Sequence, residues 1–150
     1  MIKALKRLVG GEPSEGHAIP GHERHHLMVS VAVLLHEARR ADYAEGKDES
    51  DVAVQALIEL FGVDAKNAVS ILEEGRARAQ QLTSFYAPIA TIKRDFSLEQ
   101  RIDLIEQLWR ISFADGQLNL YEDHYVRKIA HLLYVPNTQS MLARNRAKEK

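Results

Sequence analysis

Apolar residues recur three and four apart along most of the chain, the spacing of an α-helix with one buried face. Leu27, Val31, Leu34, Ala38 and Ala41 predict a helix running to about Asp42. Ala53, Leu57, Leu60 and Phe61 predict a second, with Gly62 placed to end it in the left-handed conformation. Asp64 is a natural cap for a third, whose apolar face reads Ala68, Leu72, Ala79 and Leu82. A short piece is expected after Pro88. Ser97-Leu-Glu-Gln100 then has the form of a capping box and opens a helix through Ile102, Ile105, Leu108, Trp109 and Ile111. Another starts near Leu120 and carries Tyr125, Val126, Ile129, Ala130 and Leu133. Pro136 precedes a last short helix with a basic tail of Arg144, Arg146, Lys148 and Lys150. No stretch alternates with the period of a strand, so the fold class is all-α.

The beginning of the chain differs. Glycine and proline interrupt residues 10–21, which read as a flexible linker. Before it, a helix would gather Ile2, Leu5 and Leu8 or Val9 on one face and turn Lys3, Lys6 and Arg7 elsewhere. Docking of that face onto the domain is the simpler expectation, with contact to a membrane surface or partner as the alternative. The division is an N-terminal helix and linker over 1–21 and a helical domain over 22–150.

Composition narrows the chemistry. The 150 residues, 45% hydrophobic and 27% charged, suffice for one domain with its own core. Cysteine is absent, which removes disulfides, thiolate zinc sites and thiol catalysis and fits a reducing, cytoplasmic setting. A net charge of −1 supplies no general attraction to nucleic acid. No apolar run is long enough to span a bilayer, and the run at the start is too short for a signal peptide.

The chain also repeats. At an offset of 115 − 42 = 73, His36-Glu-Ala-Arg-Arg-Ala-Asp42 falls on Trp109-Arg-Ile-Ser-Phe-Ala-Asp115, and Glu49 falls on Glu122. The spacing from Asp to Glu is 49 − 42 = 7 and 122 − 115 = 7, and Leu60 then falls on Leu133. Each copy reads as helix, acidic loop, helix. The expectation is a compact bundle of about seven helices built from two such units about a pseudo-two-fold.

The second copy, Leu108-Trp-Arg-Ile-Ser-Phe-Ala-Asp-Gly-Gln-Leu-Asn-Leu-Tyr-Glu122, resembles the signature of the TerB-like tellurite-resistance family, an Ala-Asp-Gly loop followed by a Tyr-Glu pair. The stretches Val126-Arg-Lys-Ile-Ala-His-Leu-Leu-Tyr-Val-Pro136 and Leu142-Ala-Arg-Asn-Arg-Ala147 are similar to the end of its short stand-alone members. The resemblance implies a compact helical bundle, a link to tellurite resistance and stress response, a proposed metal-binding role for the acidic residues, and no established catalytic activity. Tyr43 departs from the pattern, standing where the second copy has Gly116, so the first loop cannot share a backbone that needs φ > 0 there.

Read for their own chemistry, Asp42, Glu49, Asp115 and Glu122 are candidate metal ligands. Carboxylates without cysteine or a histidine pair favour a hard cation, Ca²⁺ or Mg²⁺, and Asp48, Asp51, Asn119 and Asp123 could add oxygens. The spacing is not that of an EF-hand. Capping accounts for the glutamates equally well: Asn119 or Gly46 would be the N-cap, placing Glu122 or Glu49 at the third helical position beside the positive end of the dipole. The aspartates resist that explanation, because a negative charge on the last turn of a helix costs up to about 1 kcal/mol. Loop N–H groups, an arginine or a cation must offset it. Tellurite, an oxyanion, would be repelled by these carboxylates.

His22-Glu-Arg-His-His26 matches His-Glu-x-x-His, the zinc-hydrolase spacing with His22 and His26 as ligands and Glu23 on the water. It follows Pro20-Gly21 directly and encloses Arg24 and His25, with Glu45 or Glu49 as conceivable third ligands, a poor setting for a dry site. Trp109, Tyr121, Tyr125 and Tyr134 are expected in the core, and Arg76 and Arg78 on a solvated face beside Glu73 and Glu74. The reading is a non-enzymatic binding or scaffold domain with a protein partner and a divalent cation on duplicated loops. The alternatives are a small zinc hydrolase and a metal-free interaction module.

Overall fold

The structure, a computed structural model, describes residues 21–39, 51–114 and 120–149. Asp42, Glu49, Asp115, the Gly116 turn and the N-terminal segment lie outside the described residues. Among those described, seven helices and no strands form the fold: α1 (Gly21–Arg39), α2 (Val52–Phe61), α3 (Ala65–Ala79), α4 (Tyr86–Asp95), α5 (Leu98–Phe113), α6 (Leu120–Leu132) and α7 (Asn137–Lys148). The all-α expectation and the helix number hold.

The first helix is not amphipathic. Every residue from Leu27 to Leu35 is buried, including Met28, Val29, Ser30, Ala32 and Val33, which the three-and-four spacing leaves outside the apolar face. A helix that is apolar all round belongs in a core. Here α1 is the central element, packed on α3 most extensively and also on α2, α4, α5 and α6. It crosses α3 closely at Gly75. A Cβ there would lie 2.5 Å from the Cβ of Ala32 and 2.8 Å from its carbonyl carbon, so only glycine permits the approach.

Helix ends follow their capping chemistry. Asp64 Oδ1 accepts the Asn67 N–H at 2.8 Å, and Ser97 and Gln100 complete the reciprocal capping box. Gly62 ends α2 at φ 72°, and Arg24 of α1 donates to the last α2 carbonyl, Phe61 O, at 2.7 Å while stacking over the Phe61 ring. Partial burial lowers the Arg24 pKa from its usual value.

Two local expectations need correction. The piece after Pro88 is a full helix that starts before it, at Tyr86. Proline is tolerated in a first turn because its missing N–H has no partner to lose there. The N-cap of α2 is Asp51, not Gly46. Its backbone is extended and Oδ1 accepts the Ala53 N–H at 2.8 Å, so Glu49 is not the third residue of this helix. A carboxylate outcompetes glycine as a cap because it supplies the acceptor that the orphan N–H groups require.

At the 73-residue offset, buried Leu35, Ala38, Ala53, Ala56 and Leu60 fall on buried Leu108, Ile111, Val126, Ile129 and Leu133. The helix starts do not follow: α6 begins at Leu120, equivalent to 120 − 73 = 47, whereas α2 begins at Val52.

The other half of the core joins α5 to α7. Trp109 is fully buried and its Nε1–H lies 3.4 Å from Ser140 Oγ, while Arg146 donates to Glu106 at 2.7 Å. Arg101 of α5 holds the end of α6 through Leu133 O at 2.6 Å, and Tyr125 of α6 reaches Leu34 O of α1 at 2.9 Å. Tyr125 and Trp109 are in the core as expected. Tyr121 and Tyr134 are not, at 51% and 72% exposed. Tyr121 lies off the inward stripe of α6 (122, 125, 126, 129, 130), and Tyr134 lies beyond the helix end.

Candidate functional site

Of the four acidic candidates, Glu122 is the one within the described residues. It is the third residue of α6, the position expected of a capping glutamate, and it lies on the inward stripe with Tyr125, Val126, Ile129 and Ala130. That register explains its burial, with only 4% of the residue exposed. Glu122 has an interaction partner, and its place in the first turn puts it near the positive end of the α6 dipole.

The neighbouring Asp123 is committed to arginines. Arg127, one turn on, donates to its Oδ2 at 2.7 Å, and Arg144 Nε of α7 stands 3.9 Å from Oδ1. The Arg144 guanidinium lies over the rings of Trp109 and Phe113, 5.5 and 5.6 Å from their centroids, and these rings stack on each other at 6.3 Å. Arg144 Nε is buried without a hydrogen bond among the described residues. A fixed positive group therefore sits over the last residue of α5, two positions before Asp115.

Asp51, considered as a possible extra oxygen ligand, is also committed. One oxygen caps α2 and the other accepts from Arg39 at 2.7 Å, with both side chains largely buried. Arg39 and Asp51 border residues 40–50 on either side, so the pair ties together the ends of the segment that carries Asp42 and Glu49. The sequence marks the acidic side of both loops but not their arginines. Arg144 reads there as part of a basic tail, although its spacing of four from Ser140, which contacts Trp109, is the signal that points it at α5.

The histidine motif opens α1 in an exposed first turn and a half. Within it, His25 Nε2 is 2.9 Å from Glu74 Oε1, and His26 Nε2 is 3.4 Å from Thr91 Oγ1. His22 and Glu23 are exposed, and among the described residues no group of three His, Cys, Asp or Glu side chains is placed to hold a metal ion. Arg76 pairs with Glu73 on the partly exposed side of α3, and this contact raises the Arg76 pKa, first through the hydrogen bond and then through the charge. No helix is long and apolar enough to cross a membrane among the described residues.

No curated protein and no solved structure matches the chain. The family model described as tellurite resistance protein TerB matches residues 28–145, a span that runs from the central helix through both acidic segments to the last helix. With that match covering most of its length and the all-helical bundle agreeing, the chain belongs to the TerB family.

Proposed function

We propose that this TerB domain acts as a non-enzymatic binding module of a tellurite-resistance or stress-response assembly in the cytoplasm, and that its working surface is the pair of acidic segments carrying Asp42, Glu49, Asp115 and Glu122. The observation that carries the reading is Glu122: its carboxylate is held inward at the first turn of α6, immediately after the second acidic segment. The Arg39–Asp51 clamp, which fastens the two ends of the first segment, supports it. A hard cation, Ca²⁺ or Mg²⁺, is the ligand such oxygen donors favour. A protein partner would then read the surface that the ion organises.

Arg144 favours a second reading. A guanidinium fixed over Phe113 can supply the positive charge that an aspartate at the end of α5 requires, making the surface a metal-free docking face. The two readings separate in a melting experiment with Ca²⁺, Mg²⁺ and Zn²⁺ on the wild type and Asp115→Asn, because an ion that binds the native state must raise the melting temperature. At about 100-fold excess over Kd the gain is about 2.7 kcal/mol. A Ca²⁺ or Mg²⁺ shift that Asp115→Asn abolishes establishes the cation site. No shift with any ion leaves the metal-free face. A Zn²⁺ shift insensitive to Asp115 moves attention to His22 and His26.

A further inference from the structure

We propose that a cleft between the α3–α4 connection and α6 binds a small amphiphile with an anionic head. Helices α4 and α6 both pack on α1 but scarcely touch each other, and the gap between them is a half-open cleft of about 710 Å³. That is the size of small-molecule sites, roughly 300–1,000 Å³. Its apolar lining comes from Leu82 and Phe85 of the connection, Ile89 of α4 and Leu132 of α6. Phe85 is fixed from behind by an edge-on contact with Tyr125, 6.4 Å between centroids. A hydrocarbon body is the material that such a surface removes from water.

The head group follows from charge. Lys93 of α4 and Lys128 of α6 line the cleft from its two sides, and neither makes an ion pair among the described residues. The single carboxylate on the lining, Glu37, already has a partner of its own. The Lys93 ammonium stands 4.2 Å from the ring centroid of Tyr134, which is 72% exposed. Tyr134 holds φ 60°, a conformation that costs a non-glycine residue roughly 1–2 kcal/mol and that glycine occupies freely. The exposed ring holds the Lys93 ammonium beside the cleft. Tyr134 is a positioning residue here, and the ammonium keeps its N–H groups for a carboxylate or a phosphate monoester.

The test is saturation of the full-length chain with octanoate, octyl phosphate, octylammonium and butyrate, followed by backbone amide NMR. Octanoate or octyl phosphate should bind saturably and shift the amides of residues 82–93 and 128–132, the tighter of the two identifying the head. Octylammonium should bind at least about tenfold more weakly, as expected when a charge-assisted contact is lost, and butyrate should not saturate. Lys93→Gln with Lys128→Gln should weaken the anionic ligands about tenfold and should not weaken octylammonium. Ala90→Trp, which fills the cleft from α4, should abolish binding. Equal affinity for octylammonium and the two eight-carbon anions, or unchanged octanoate binding in the double lysine variant, overturns the proposal. So does binding to phosphatidylglycerol vesicles without any response to octanoate, which would make the cleft a membrane-docking surface.

Discussion

Tyr134 is placed where a glycine would ordinarily stand. Its N–H bonds to His131 O at 3.0 Å and that of Val135 to Ala130 O at 2.9 Å, the pair of reversed bonds that closes a helix through a left-handed residue. Tyr134→Gly should therefore stabilise the chain by up to about 1 kcal/mol, strain relief exceeding the added chain entropy of glycine. Urea denaturation checks it: a midpoint that falls would mean that the Lys93 contact outweighs the strain. Asp51 presents the opposite case, one side chain with two structural duties. Asp51→Ala removes both the cap of α2 and the ion pair with the largely buried Arg39, and should cost about 2–4 kcal/mol. Asp51→Asn keeps an acceptor for Ala53 and should cost about half as much. Equal losses would show that the cap contributes nothing beyond the ion pair.

Helices were legible wherever an end had its own chemistry. Asp64, Ser97 with Gln100, and Gly62 each mark a boundary that the backbone adopts, because a cap acts within three residues and needs no tertiary partner. The start of α2 is ambiguous in the sequence because two acceptable caps compete, and the better acceptor lies five residues after the weaker one. The central role of α1 escaped periodicity for another reason: Met28, Val29, Ala32 and Val33 fill the second face, so the run reads as amphipathic only when those residues are ignored. Gly75 was invisible as well, since nothing in a helical stretch of α3 says that Ala32 approaches it. Gly75→Ala should destabilise by about 1–3 kcal/mol despite alanine's better helix propensity, because the added methyl meets backbone as well as side chain. A neutral or stabilising result in thermal or urea unfolding would mean that α1 and α3 separate freely at their crossing.

At the scale of the molecule, the seven described helices feed one contiguous core, and this bears on how the acidic surface can work. The four-acid pattern was readable because spacing alone carries it, yet the arginines that accompany it were not, since Arg39–Asp51 and Arg144–Asp123 join residues 12 and 21 positions apart (51 − 39 and 144 − 123). Those links, with Trp109 packed against Ser140 and Phe113, attach the last helix and the residues that border both acidic segments to the same core. A core of this kind should unfold as a unit. Trp109 is the sole tryptophan and is fully buried at the α5–α7 contact, whereas far-UV circular dichroism averages over every helix. In urea the two signals should give one midpoint. If the tryptophan transition came first, α7 would be peeling from α5 while the central helix stayed packed. The Arg144 charge would then be removable without unfolding the domain, and the acidic surface could be exposed by a local event rather than a global one. A single transition instead makes the surface permanent, so that any regulation must act through what binds to it.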